Sequence, residues 1–214
     1  MDAWGIGADL VARTRALLDS LGAAELAVFL SAWPRPQRMP AAGGASSGAW
    51  REVRPNSLPV LHWLQAASAD APPFSAALAA ALVQAAPFLC WRQSYTAQEC
   101  DAGFLENYGW TELIGLRGAL ASERLACGFL LLAPETAYPR HRHEAAELYL
   151  PLAGAACWQQ GDGVWRRRQP GTPIVHRGNE PHAMRTGERP LLALYLWRGV
   201  ELARQARFER LPHG

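Results

Sequence analysis

The residue types able to do chemistry cluster in His141-Arg142-His143-Glu144-Ala145-Ala146-Glu147 and recur at His182. Side chains alternate across a β-strand, so histidines two residues apart present both imidazoles to one face, where they can reach one ion. Glu147 adds an anionic oxygen if the chain bends back into the next strand. Borderline divalent metals accept such a mixed set of nitrogens and oxygen, and a closed set takes one more donor. His182, in Glu180-Pro181-His182-Ala183 just before the last long strand, is the preferred fourth ligand, with His176 as its competitor. The expected centre is one divalent metal ion on His141, His143, Glu147 and His182.

Two tyrosines flank these ligands. Tyr149 lies two residues past Glu147 and so shares its face, and Tyr138 precedes His141 by three. A free phenol, with pKa of about 10, is a poor base at neutral pH. A nearby divalent cation favours the phenolate. Metal and phenolate together suit removal of a proton beside a carboxylate, the metal gripping the carboxylate and the phenolate taking the proton. The chain also holds nine tryptophans. Trp158, Trp165 and Trp197 fall in expected strands, and Trp110 opens the first. Most fill core, but one or two at a barrel mouth suit a sulfonium or quaternary ammonium group.

The elements that must position these residues change character near residue 105. Residues 7–21, 23–32, 58–68 and 73–87 carry helical signals, the last opened by Pro72-Pro73. Pro, Gly and Ser dominate 34–57, which reads as a long loop. Strands are expected at 113–116, 127–132, 147–152, 154–160, 164–168, 174–176 and 191–197. Gly161-Asp162-Gly163 between two of them signals a hairpin. The expected division is a helical N-terminal segment, 1–104, packing on a β-barrel, 105–214, with antiparallel strands in a barrel or sandwich.

Bulk composition narrows the partners. Of 214 residues, 50% are hydrophobic and 19% charged, with a formal net charge of +2. This is a globular balance with scattered basic residues, and it argues against nucleic acid. Arg166-Arg167-Arg168 reads as a solvated hairpin tip. The Ala-rich run from Phe74 to Leu89 is short for a membrane span. The four cysteines lack CxxC spacing and are expected as buried thiols. No basic-then-apolar leader opens the chain, so a cytoplasmic location is expected.

The order H-x-H-x3-E-x6-G, a Pro-Gly pair and a late His resembles the two signature motifs of the cupin superfamily, although Glu135 stands where the first motif usually carries glycine. Within that superfamily, Tyr138-Pro139-Arg140-His141-Arg142-His143, Glu147-Leu148-Tyr149 and Pro181-His182-Ala183-Met184-Arg185-Thr186 resemble the cupin-type dimethylsulfoniopropionate (DMSP) lyases. Trp91-Arg92-Gln93-Ser94-Tyr95, Asn107 to Gly115 and Leu194 to Gly199 extend the likeness over roughly residues 88–199. The resemblance implies a mainly β, jelly-roll cupin barrel with a helical N-terminal segment, and a carbon–sulfur lyase releasing dimethyl sulfide and acrylate. It implies zinc, iron or manganese on His141, His143, Glu147 and His182. It implies Tyr138 as base, and Tyr149 as a residue that ligates the metal or moves aside. It implies substrate contacts from Trp197, and Tyr195, Trp110 and His176 join that expectation. The expected partner is a small zwitterion or carboxylate, with a homodimer by analogy to other cupins. Alternatives are a cupin enzyme for a different small carboxylate (another lyase, an isomerase or a dioxygenase) and a non-catalytic ligand-binding cupin.

Overall fold

The computed structural model describes residues 3–37, 47–199, 202–204 and 206–209, so part of the expected 34–57 loop lies outside the described residues. Helices α1 (Ala3–Leu21) and α2 (Ala24–Leu30) come first. The expected 58–68 helix begins as a 3-10 turn, Pro59–Trp63, before α3 (Leu64–Ala69). Helix α4 (Pro73–Ala85) has proline at its first position, where no intrahelical N–H is needed. A short α5 (Ala102–Glu106) follows, its first turn capped by Asp101, which accepts from the Phe104 amide at 2.9 Å.

Among the described residues twelve strands build two mainly antiparallel sheets. They are β1 (Trp91–Arg92), β2 (Tyr108–Gly115), β3 (Leu120–Ala121), β4 (Leu125–Leu132), β5 (Ala137–Arg142), β6 (Ala146–Ala153), β7 (Ala156–Gln160), β8 (Arg166–Arg168), β9 (Ile174–His176), β10 (His182–Arg185), β11 (Leu191–Arg198) and β12 (Arg207–Phe208). One sheet runs β1-β2-β4-β11-β6-β9, with β3 paired in parallel to β2, and the other runs β12-β5-β10-β7-β8. This is the mainly β, double-sheet class expected, with helices added on one side. Among the described residues no helix is long and apolar enough to cross a membrane.

Parity along the leucine-rich strands separates two interiors. Cys127, Phe129 and Leu131 of β4, Leu148, Leu150 and Leu152 of β6, and Leu192, Leu194 and Leu196 of β11 share one cluster with Leu10, Leu18, Leu78 and Leu82 of the helices. Their neighbours Leu130, Leu132, Tyr149, Leu191, Ala193 and Tyr195 belong to a second cluster with Tyr138, Trp158 and Met184. Successive side chains point to opposite faces, so one face docks the helices and the other lines the barrel. Such strands read as continuous apolar runs because both faces are buried. Leu82 is fully buried. Its replacement by alanine is expected to cost about 2–5 kcal/mol of stability, measured by urea unfolding, while bound-metal stoichiometry stays unchanged.

Local details also follow from residue type. Gly154, the expected motif glycine, has φ 73°, and a Cβ there would sit 2.1 Å from the Pro190 carbonyl oxygen. Glu135 holds the left-handed conformation, φ 50°, that glycine adopts more readily, so the turn survives the departure from the motif. The Gly161-Asp162-Gly163 hairpin joins β7 to β8, with Trp158 opposite Arg166. The arginine run is therefore an edge strand of the sheet rather than a bare tip. All four cysteines are free, but Cys127 alone is buried: Cys90 and Cys100 lie outside the long strands, and Cys157 faces away from the buried Ala156 and Trp158 that flank it in β7.

Candidate metal centre

A spacing of three on a regular strand sends two side chains to opposite faces. Tyr138 and His141 nevertheless both point into the barrel. On β10, Met184 pairs with Tyr138 and His182 with His141, so two residues, Pro139 and Arg140, oppose the single Ala183. That is a β-bulge, and proline is tolerated at bulges because a ladder hydrogen bond is already lost there. His143 lies just past the end of β5 and still turns inward. Glu147 comes from β6 and His182 from β10.

The four expected ligands converge. One nitrogen from each of His141, His143 and His182 lies within 4.8 Å of the other two. Glu147 Oε2 sits 2.9 Å from His143 Nε2 and 3.1 Å from His182 Nε2. All four residues are buried. The Nδ1 of His141, His143 and His182 faces the carbonyl of Pro139, Ala145 and Glu180 at 2.8, 2.9 and 2.9 Å. A carbonyl accepts, so each Nδ1 donates, and in the neutral ring Nε2 is left with its lone pair. Among the described residues His182 Nε2 has no hydrogen-bond partner. Imidazole lone pairs turned toward one another and toward a carboxylate oxygen call for a cation between them, and this donor set fits a divalent transition metal.

Electrostatics agree with that fit. Burial raises the Glu147 carboxyl, but positive charge on the His143 and His182 side of it outweighs burial and holds it well below the usual carboxylate range. Burial and the neighbouring His182 push His141 well below the ordinary imidazole value, keeping the ring neutral and able to ligate. Trp197 Nε1 donates to Glu147 Oε1 at 2.5 Å, and its ring stacks on His143 at 4.0 Å. Trp197 thus braces two of the expected ligands besides facing the cavity.

A cavity of about 270 Å³ opens onto Glu147, Tyr138 and Tyr149 and is walled by Trp110, Tyr195 and Trp197. Tyr138 stacks on His141 at 4.2 Å. Its hydroxyl lies 3.2 Å from that of Tyr95 and 3.3 Å from that of Tyr108. Burial, then Tyr108 and Tyr95, raise its phenol well above the ordinary value. Burial, then the Glu147 carboxylate, raise the Tyr149 phenol well above the ordinary value. His176 does not line this cavity. It is fully buried behind His182, ring centroids 4.0 Å apart, because β9 pairs it with Glu147 at the sheet edge.

Sequence reasoning did not single out Tyr95, Tyr108 or Ser94 as functional. Tyr108 donates to Ser94 Oγ at 3.1 Å, as does Trp110 Nε1 at 3.0 Å. Their signal was the polar-aromatic alternation around Ser94 and Tyr108, which carries little weight without the contact to Tyr138.

A family profile described as dimethylsulfoniopropionate lyase matches residues 42–193. The dimethylsulfoniopropionate lyase DddQ of Ruegeria pomeroyi is 37% identical over 124 residues, 58% of this chain and 62% of that relative. The match therefore spans just under two thirds of that relative's length. The crystal structure of DddQ from Ruegeria pomeroyi DSS-3 superposes with a TM-score of 0.79 at 29% identity, covering 95% of this chain and 96% of that one. A structure from work on the DMSP lyases RdDddP and RnDddQII gives 0.82 at 30% identity, covering 98% and 100%.

Proposed function

This chain belongs to the dimethylsulfoniopropionate lyase family, and on that premise we propose that it cleaves DMSP to dimethyl sulfide and acrylate at the His141, His143, Glu147 and His182 centre. The observation that carries the proposal is the convergence of three imidazole nitrogens and one carboxylate beside a cavity walled by aromatic rings.

A divalent ion on those four residues supplies positive charge for the substrate carboxylate and for the enolate-like charge that develops next to it. Tyr138 stands on the cavity wall beside that centre and, as phenolate, takes the proton from the carbon next to the carboxylate. The Tyr95 hydroxyl, 3.2 Å away, is placed to donate to the phenolate oxygen before that oxygen takes the proton. The pair left by the C–H bond becomes the new C=C bond. The C–S bond breaks, and its pair leaves with sulfur as neutral dimethyl sulfide. Tyr149 holds its proton against Glu147 and steadies that carboxylate. The faces of Trp110, Tyr195 and Trp197 suit the methylated sulfonium.

The test is headspace detection of dimethyl sulfide from purified protein given DMSP, with metal analysis of the same sample. Release in proportion to bound zinc, iron or manganese is expected. A fully metal-loaded protein that releases none overturns the proposal, and oxygen uptake by the iron form points to other cupin chemistry. Trp197→Phe keeps the stacking ring but deletes the donor to Glu147. It is expected to weaken metal binding about 10–100-fold, read by competition with a chromophoric chelator.

A further inference from the structure

Four hydroxyls run in file along the barrel wall, from Tyr95 through Tyr138 and Tyr108 to Ser94. Arg92 of β1 pairs with Trp110 of β2, so the chain leaving β1 carries Ser94 alongside Tyr108 and Trp110. The Tyr138 hydroxyl lies 3.2 Å from Tyr95 and 3.3 Å from Tyr108, and Tyr108 reaches Ser94 Oγ at 3.1 Å. A hydroxyl has one proton to give and two lone pairs with which to accept, and this fixes the direction of the file. Tyr108 gives its proton to Ser94, so toward Tyr138 its oxygen accepts and Tyr138 is the donor. The Tyr95 hydroxyl has Tyr138 as its one hydrogen-bond partner among the described residues, and donates to it. Trp110 Nε1 also donates to Ser94 Oγ, at 3.0 Å. Ser94 therefore accepts twice, and its own proton is left for the cavity that it lines.

A base that takes one proton in each turnover has to lose it before the next. Tyr138 is buried and packed on His141, so a molecule held in the chamber stands between its hydroxyl and bulk water. Ser94 is only half-buried. Tyr108 joins the two and is itself buried, which keeps competing water from the middle of the file. Hydrogen bonds aligned head to tail polarise one another, so a proton can enter the file at one end as another leaves it at the far end. The file points away from the expected metal ligands and passes through the wall rather than through the space that a substrate would fill.

We infer that Tyr108 and Ser94 relay the abstracted proton from Tyr138 to solvent. The inference rests on Tyr138 as the base of the proposed reaction. The Tyr138 O–H bond breaks as Tyr108 takes its proton. The proton that Tyr108 held passes to Ser94 Oγ, and the one that Ser94 held passes to water or a buffer base. Tyr138 is left as phenolate, and Tyr108 and Ser94 are left neutral with one proton each. The test compares Ser94→Val with Ser94→Thr in the metal-loaded protein. The two β-branched side chains share one shape and differ in the hydroxyl, so no water fills a gap in either. The threonine variant is expected to keep most of the wild-type kcat for dimethyl sulfide release. The valine variant should lose about 10–100-fold in kcat with KM little changed. Proton export then limits turnover, so its solvent deuterium isotope effect should exceed that of the wild type. Tyr108→Phe breaks the same file one link earlier, and the double variant should lose no more than either single one. Equal kcat in the valine and threonine variants overturns the inference. So does a loss in the valine variant without the larger isotope effect, which assigns Ser94 to packing alone, and so does a double variant whose losses multiply. If the wild type releases no dimethyl sulfide, exchange of the α-hydrogens of the trimethylammonio analogue of DMSP in D2O, followed by proton NMR, reads the relay without the sulfur leaving group. Exchange that is fast with threonine and slow with valine leaves the relay standing and removes the DMSP reading. Exchange equal in the two variants overturns the relay, and a wild type with neither release nor exchange overturns both.

Discussion

Replacing His182 with alanine is expected to lower metal affinity at least about a hundredfold and to abolish dimethyl sulfide release, in a protein that still folds. Structural zinc sites contribute roughly 10–16 kcal/mol, so each of four ligands carries a few kcal/mol, or two to three powers of ten in affinity. The Nδ1 of His182 is tied to the Glu180 carbonyl, and its Nε2 faces only the expected centre, 3.1 Å from Glu147 Oε2. Its loss also leaves Glu147 Oε2 facing a single imidazole at 2.9 Å. Equilibrium dialysis against zinc measures the affinity, and circular dichroism checks the fold. A variant that holds one equivalent as tightly as the wild type removes His182 from the ligand set.

Tyr138→Phe separates binding from chemistry. The ring, its stack on His141 and its packing against Phe104 are kept, and the hydroxyl is lost. Metal content should stay at the wild-type level while kcat falls about 10²–10⁴-fold, the usual contribution of a positioned base. The pH profile gives a second reading. Burial and two neighbouring phenols favour the protonated Tyr138. The reactive form is the phenolate, whose fraction rises about tenfold per pH unit below the pKa, so log kcat/KM of the wild type should climb with unit slope on the alkaline side. The variant should lose that limb. Full activity in Tyr138→Phe would pass the proton abstraction to another group, with Tyr149 next in line.

Much of this could be read from the chain before any coordinates. The leucine-rich runs at β4, β6 and β11 and the glycine-bounded hairpin are sequence-local signals, and the strands formed there. The HxH-x3-E spacing named the side chains that converge. What escaped is what depends on register. The first long strand starts at Tyr108, not Leu113, because the polar residues Thr111 and Glu112 face pairing partners rather than solvent. His176 was placed among substrate contacts, but β9 pairs with Glu147 and hides it behind His182. The meeting of Tyr95, Tyr108 and Tyr138 joins β5 to residues 94–108, across two sheets, and no local pattern encodes it.

The bulge in β5 has a consequence for how such a centre can arise. Histidines two apart come inward on any evenly pleated strand, so the ability to capture an ion belongs to the barrel itself. Tyr138 comes inward because Pro139 and Arg140 occupy the place of one residue. Shortening that pair by one would restore the pleat and rotate the phenol out of the chamber while the imidazoles stayed. On the roles proposed above, ion capture and proton abstraction are separable inheritances, and a barrel lacking the extra residue would retain the first without ever having had the second.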